Sequence, residues 1–191
     1  TSGFDRLGAI YIADGHHRSA AASRVAAERR AENPDHNGDE PYNSFLIVSF
    51  PKPEVQILDY NRVVKDLNGF SVAGLVSRLA DSFEVEKSAD PVKPNAVRTF
   101  GMYVQGQWYR LIYTGVLPDP ANPTADLDVS VLTTRVLSPI LGIEDPRTDS
   151  RIGFVGGIRG MGELEKQVNS GDWAVAFSLY PTTVDQLIAV A

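Results

Sequence analysis

The 191-residue sequence contains no cysteine. This absence excludes disulfide scaffolds, thiolate zinc sites, iron–sulfur clusters with cysteine ligands, and cysteine nucleophiles. The apolar runs are all shorter than the roughly 18 residues that a membrane helix needs, and no signal peptide is visible. We therefore expect a cytoplasmic protein with no membrane partner.

Basic charge is also scarce in this chain. Asp and Glu number 24 against 18 Lys and Arg, which gives a formal net charge of −6. Since phosphate neutralisation supplies most non-specific nucleic-acid affinity, this balance argues against a large surface for duplex DNA or RNA. It remains compatible with a local basic patch that binds a small phosphorylated molecule or nucleotide.

Two nucleotide-binding patterns are missing from the glycine-rich stretch 153–162 (GFVGGIRGMG). The stretch has neither the dinucleotide fingerprint nor the Lys-Ser/Thr pair of a phosphate-cradling loop. We therefore expect no flavin cofactor.

The remaining composition, with 43% hydrophobic and 22% charged residues, is typical of a globular protein with a buried core. Strand-like and helix-like segments follow one another without a repeat, which predicts an α+β (mixed α/β) fold. We expect one domain over residues 1–191, with the proline-containing segment 115–124 as an alternative boundary. Because the chain starts at Thr1 and soon enters an apolar run, we expect a fragment lacking an N-terminal portion.

Periodicity and turn residues predict the individual elements. The helix at 17–30 should turn Ala20, Ala21, Val25 and either Ala26 or Ala27 toward a core. Strands are expected at 7–13, 44–50, 151–155 and 173–179, a hairpin at 98–104 and 107–114, and helices at 17–30, 71–83, 126–141, 162–168 and 182–191.

The segment "IYIADGHHRSAAASRVAAERR" carries the strongest functional signal. A strand that turns at Asp14-Gly15 into a helix exposes backbone N–H groups and positive partial charge, which together favour anions. Gly15 permits a close backbone approach, and Arg18 offers a planar fork for phosphate. His16 and His17 can donate to phosphate or move protons, and Asp14 can bind Mg²⁺ or accept a hydroxyl proton.

A structural interpretation of the same residues is also open, in which Asp14 only caps the helix. A zinc site is not expected, because adjacent helical side chains point about 100° apart and His36 is the only other histidine. Arg62 could reach an anion, although a surface arginine is the more common case. Thr182 and Thr183 could contact a ligand or simply cap the last helix, and Trp108 is expected in the core or on the sheet surface.

The motif "ADGHHRSAAA" resembles a bacterial and archaeal family called domain of unknown function 1015. The segments "LDYNRVV" and "AFSLYPTTVDQLIAVA" resemble later parts of that family, in the same order. The chain departs from the family at Ser19, where an aromatic residue is common, and at Asn61, where a histidine is usual. The resemblance implies that the chain is the C-terminal portion of the family's fold.

More distantly, the motif is similar to the phosphate-binding turn of the ParB and sulfiredoxin superfamily, including its free-serine kinases. This similarity implies a strand-turn-helix packed on a mixed or antiparallel sheet. It also implies that Asp14 and His16 are catalytic, that Gly15, His17 and Arg18 bind phosphate, and that ATP or ADP acts with Mg²⁺.

Three functions therefore stay open at the level of sequence. They are a serine-kinase-like phosphotransferase for a small hydroxylated metabolite, a non-catalytic sensor of a nucleotide or phosphometabolite, and a purely structural domain. We expect the fragment alone to be inactive, and the sequence does not define the substrate, the phosphate donor or the oligomeric state.

Overall fold

A computed structural model describes residues 3–116 and 121–190. The chain divides into two compact units, Thr1–Glu54 and Val55–Ala191, here called the N-terminal unit and the sheet unit. The division lies outside the segment 115–124 that the sequence suggested as an alternative boundary, and residues 117–120 of that segment lie outside the described residues. The expectation of one domain stays a prediction.

The N-terminal unit is built around helix α1 (His16–Glu32), which confirms the helix predicted at 17–30. Its half-buried positions Ser19, Ala22 and Ala26 follow helical spacing along one side. α1 contacts the short 3₁₀ turn Pro41–Asn43. The predicted core face was largely wrong, since α1 has no fully buried residue and Ala20, Ala21, Val25 and Ala27 are exposed.

The strands expected at 7–13 and 44–50 were wrong. Both segments lack strand structure, and their side chains are exposed, with Ile10 at 55% and Leu46 at 89%. A strand needs a neighbour for its backbone groups, and the described residues of the N-terminal unit supply none to either segment. The strand of the expected strand-turn-helix is therefore absent, while the turn and the helix are present.

The described residues of the sheet unit contain one six-stranded sheet in the order β2-β4-β3-β6-β1-β5, with every neighbouring pair antiparallel. This sheet confirms the α+β class. Its strands are β1 (Tyr60–Val64), β2 (Phe83–Ser88), β3 (Thr99–Val104), β4 (Gln107–Tyr113), β5 (Ile152–Gly156) and β6 (Val175–Leu179).

Four helices accompany the sheet within the described residues of this unit: α2 (Val72–Leu79), α3 (Asp128–Leu132), α4 (Met161–Asn169) and α5 (Val184–Val190). The helix expected at 126–141 is shorter, because α3 passes into a π-helical turn, Thr133–Leu137, before Pro139 removes a backbone donor. Hydrophobic side chains form a larger core on the sheet face that contacts α2 and α3, and a smaller core with α4 on the opposite face.

The β3–β4 hairpin confirms its prediction. Its two turn residues, Gln105 and Gly106, have φ values of 47° and 78°, as a two-residue type I′ turn requires. Trp108 is 3% exposed within the smaller core, as expected from sequence.

Candidate functional site

The turn Asp14–Arg18 forms the beginning of α1. Gly15 is the N-cap residue in a left-handed conformation, with φ of 81° and ψ of 25°, and its carbonyl accepts the Ser19 N–H at 2.9 Å. A Cβ atom at Gly15 would lie 3.3 Å from Nη2 of Arg18. The guanidinium of Arg18 therefore folds back against the glycine, close to the first turn of the helix.

Asp14 does not cap α1. No side-chain hydrogen bond caps the helix, and the described contact of the Asp14 carboxylate is an ion pair with Nη2 of Arg18 at 3.4 Å. The two side chains are 94% and 75% exposed, so water and salt screen this pair strongly and a competing anion can displace it. The cap that the structural interpretation assigned to Asp14 is therefore not present at this helix end.

The field at this helix end favours an anion. The first turn of α1 contains no acidic residue, and the last turn carries Arg29 and Arg30, which suit the negative end of the helix dipole. Without a side-chain acceptor, the N–H groups of the first turn remain available to a ligand.

The two adjacent histidines, His16 and His17, do not form a common site with the third histidine, His36. His16 and His17 are exposed on the first turn of α1, whereas His36 lies in the loop after the helix. There its Nδ1 lies 3.0 Å from Oε2 of Glu40 and 3.0 Å from the hydroxyl of Tyr42. Over residues 3–116 and 121–190, no group of three His, Asp or Glu side chains gathers to hold a metal.

Arg62 lies in the sheet unit and is not a surface residue, so the more common case considered from sequence was wrong. The residue is only 8% exposed in the middle of β1. Its guanidinium carbon lies 5.0 Å from the ring centre of Tyr60 and 4.7 Å from that of Phe154, and Nη1 donates to the Tyr60 carbonyl. Burial lowers the pKa of Arg62 to about 10, which leaves it cationic at neutral pH.

Residues at the beginning of α5 are explained by capping. The backbone N–H of Gln186 donates to Oγ1 of Thr183 at 3.1 Å, and the Thr183 N–H donates to the Gln186 side chain at 2.9 Å. This reciprocal pair is a capping box. Thr182 is half-buried beside it.

Sequence reasoning missed a buried polar pair beside Arg62. Asp59 and Asn61 are 5% and 0% exposed, and Nδ2 of Asn61 donates to Asp59 at 2.6 Å. Oδ1 of Asn61 accepts the backbone N–H of Leu179 at 3.0 Å, which ties β1 to the end of β6. The polar residues Asp59 and Asn61 within the segment "LDYNRVV" were the sequence feature that could have indicated this pair.

A family model described as a protein of unknown function (DUF1015) matches residues 1–130 of the 191 in the chain. The chain belongs to the DUF1015 family. The DUF1015 match covers the Asp14–Arg18 turn, Arg62 and the first four strands of the sheet. It confirms the resemblance inferred from the sequence motif.

Among solved structures, the chain is similar to a free serine kinase variant in complex with AMP. The sequence identity is 14% and the TM-score is 0.45, with 94% of this chain covered. This chain spans 60% of the length of that kinase. No curated protein matches the sequence.

Among the described residues, none of the helices combines the length and the apolar character required to cross a membrane.

Proposed function

We propose that this protein is a phosphotransferase that binds the phosphate of a nucleotide or small metabolite at the Asp14–Arg18 turn. One observation carries the proposal. The N-terminus of α1 has no side-chain cap, and the guanidinium of Arg18 lies against the left-handed Gly15 at the same helix end. Backbone N–H groups, helix dipole and guanidinium thus act together on one exposed anion position.

Each side chain of the turn would have a role that follows from its chemistry. Arg18 and His17 would donate hydrogen bonds to phosphate oxygens, while Gly15 leaves room for the ligand to approach the backbone. Asp14, released from Arg18 when phosphate binds, would accept the proton of a substrate hydroxyl. His16 would exchange protons with the reacting groups near neutral pH. Positioning and charge stabilisation then supply most of the rate acceleration.

Magnesium fits this turn through one carboxylate. Mg²⁺ in phosphoryl-transfer sites is commonly held by one or two carboxylates together with substrate phosphates, not by an all-protein cage. Asp14 is 94% exposed at the turn, and holding this metal would be its alternative role to accepting the hydroxyl proton. The metal would neutralise phosphate charge, and the residues of the chain would orient the two substrates.

The first substrate to test is L-serine, because the sequence motif is similar to that of free-serine kinases. The assay uses the full-length protein, supplies it with ATP or ADP, Mg²⁺ and L-serine, and measures phosphoserine. We expect product from the unaltered protein and strong loss of product with Asp14→Asn or Arg18→Ala. Arg24→Ala is the matched control, since Arg24 is exposed on the same helix but lies beyond its first turn.

Absence of phosphoserine, together with unchanged nucleotide binding in both turn variants, would contradict the proposal. Loss of nucleotide binding in Arg24→Ala to the same degree would show that general charge, and not the turn, attracts the ligand.

A sensor without turnover is the second candidate. The contact that favours it is the Asp14–Arg18 ion pair, which engages the one carboxylate of the turn. In a sensor, nucleotide or phosphometabolite would raise the unfolding temperature without product, because a ligand that binds only the folded state stabilises it.

A further inference from the structure

Arg62 has an unusual position within the sheet. In the antiparallel register it lies directly between Phe154 of β5 and Phe177 of β6, and paired residues point to the same face. Phe177 belongs to the larger core and is 0% exposed. A permanently charged side chain therefore occupies a row of aromatic residues, where an uncompensated charge is costly.

No carboxylate among the described residues compensates this charge. Among the described residues, the one hydrogen bond of the Arg62 side chain runs from Nη1 to the Tyr60 carbonyl, and the guanidinium forms no ion pair. Nε and Nη2 make no hydrogen bond to the described residues, yet neither atom is sealed from solvent. These two nitrogens form one edge of the planar guanidinium, the fork that matches two oxygens of a carboxylate or phosphate.

Two aromatic rings beside the Arg62 guanidinium are open to solvent. Tyr60 and Phe154 stack with ring centres 5.4 Å apart and planes at 9°, while the residues remain 54% and 42% exposed. Their contact with the guanidinium fixes its plane, since both rings lie within cation–π distance of it. The result is a rigid cationic edge beside an exposed apolar surface.

We infer that Arg62, Tyr60 and Phe154 form a second anion-binding site in the sheet unit, which takes a small molecule with an oxyanion and an apolar or aromatic body. The oxyanion, either carboxylate or phosphate, binds the Nε–Nη2 edge of Arg62. The body of the ligand packs on the exposed faces of Tyr60 and Phe154. This inference is argued from contacts within the sheet unit alone and does not rest on the proposed phosphotransferase function.

The test titrates the protein with phenyl phosphate, phenylacetate and inorganic phosphate while the Nε–Hε resonance of Arg62 is followed by NMR. We expect both phenyl-bearing anions to shift this resonance at saturable concentration. Phenyl phosphate should bind about tenfold more tightly than inorganic phosphate, because aromatic packing adds to the charged hydrogen bonds. A stronger response to one of the two phenyl compounds assigns the oxyanion as phosphate or carboxylate.

Variants distinguish binding at this site from nonspecific attraction of anions by positive charge. Arg62→Lys keeps the positive charge but lacks the planar fork, so we expect at least about tenfold weaker binding. Arg110→Lys is the matched control, since Arg110 is exposed on β4 of the same sheet, and it should bind like the unaltered protein.

Three results would overturn the inference. One is an Arg62 resonance that no probe shifts at concentrations up to tens of millimolar. Another is equal binding by Arg62→Lys and the unaltered protein, followed in both through the backbone amide resonances of Tyr60 and Phe154. The third is a resonance that shifts with protein concentration alone, which would mean that a second copy of the chain occupies the edge. Because the resonance is read on the unaltered protein, poor folding of a variant does not obscure the answer.

Discussion

Replacing Gly15 by alanine tests the geometry of the turn at one atom. Gly15 has a φ of 81°, and the new Cβ would lie 3.3 Å from Nη2 and 3.4 Å from Nε of Arg18. The substitution thus adds a backbone penalty and pushes the guanidinium away from the helix end. Both effects act on the anion position without removing any charge.

The backbone part of this cost can be stated in advance. A non-glycine residue in the left-handed region costs about 1–2 kcal/mol. That amount raises the open population of the first turn of α1 by a factor of roughly 5–30. Gly15→Asn should cost less in stability, because asparagine tolerates this conformation better, while it keeps the Cβ contact with Arg18.

Amide hydrogen exchange along α1 measures the stability effect, and a phosphate titration measures the binding effect. Gly38→Ala is the matched control, since Gly38 also has a positive φ, 99°, but its Cβ would contact nothing within 4 Å. We expect weaker phosphate binding in both Gly15 variants and unchanged binding in Gly38→Ala. Unaltered phosphate binding by Gly15→Ala would refute the role of the folded-back Arg18.

The sheet unit supports further predictions. Gly101→Ala should lower the free energy of unfolding by about 1–3 kcal/mol, because its Cβ would lie 2.5 Å from a backbone carbonyl oxygen. Gly162→Ala in α4, where a Cβ contacts nothing within 4 Å, should be neutral or stabilising by up to about 1 kcal/mol; denaturant titration checks both. Burial raises the pKa of Asp128 from 3.8 to about 6, so the folded state holds this proton more tightly than the unfolded state. The free energy of unfolding should therefore fall by about 3 kcal/mol as pH rises from about 4 to above 6. Denaturant titrations at each pH measure this change, and Asp128→Asn should remove the contribution of Asp128 to the pH dependence. Ser71→Ala should cost about 1 kcal/mol by thermal or denaturant unfolding, because Ser71 Oγ accepts the Gly74 N–H at 3.1 Å at the beginning of α2.

Local patterns predicted the elements whose structure depends on local contacts. α1 and the β3–β4 hairpin follow from helix formers and turn residues close in sequence. Strand β2 was missed, because its segment FEVEKS has charged residues on its exposed positions and forms only by pairing with β4.

The segments 7–13 and 44–50 show the opposite error. Their apolar residues predicted buried strands. Apolar content, however, indicates only a tendency to be buried and does not identify a partner strand. The alanines of α1 misled in a similar way, since alanine favours the helix at every position and marks no particular face. Burial of these residues depends on tertiary contacts that single-sequence periodicity does not contain.

The sequence indicated the candidate turn more directly than it indicated Arg62. A glycine between an acidic residue and two histidines is a local feature that the sequence shows directly. The burial of Arg62 depends on its pairing with both Phe154 and Phe177, which come more than ninety residues later in the chain. No local pattern distinguishes such an arginine from a surface one.

A crystal structure of the protein grown with ADP and Mg²⁺ would show directly whether the Asp14–Arg18 turn binds phosphate. We expect a phosphate group within hydrogen-bond distance of the backbone N–H groups after Gly15 and of the Arg18 guanidinium, with the Asp14–Arg18 ion pair opened. Bound nucleotide whose phosphates lie elsewhere, with that ion pair still in place at the beginning of α1, would contradict this expectation.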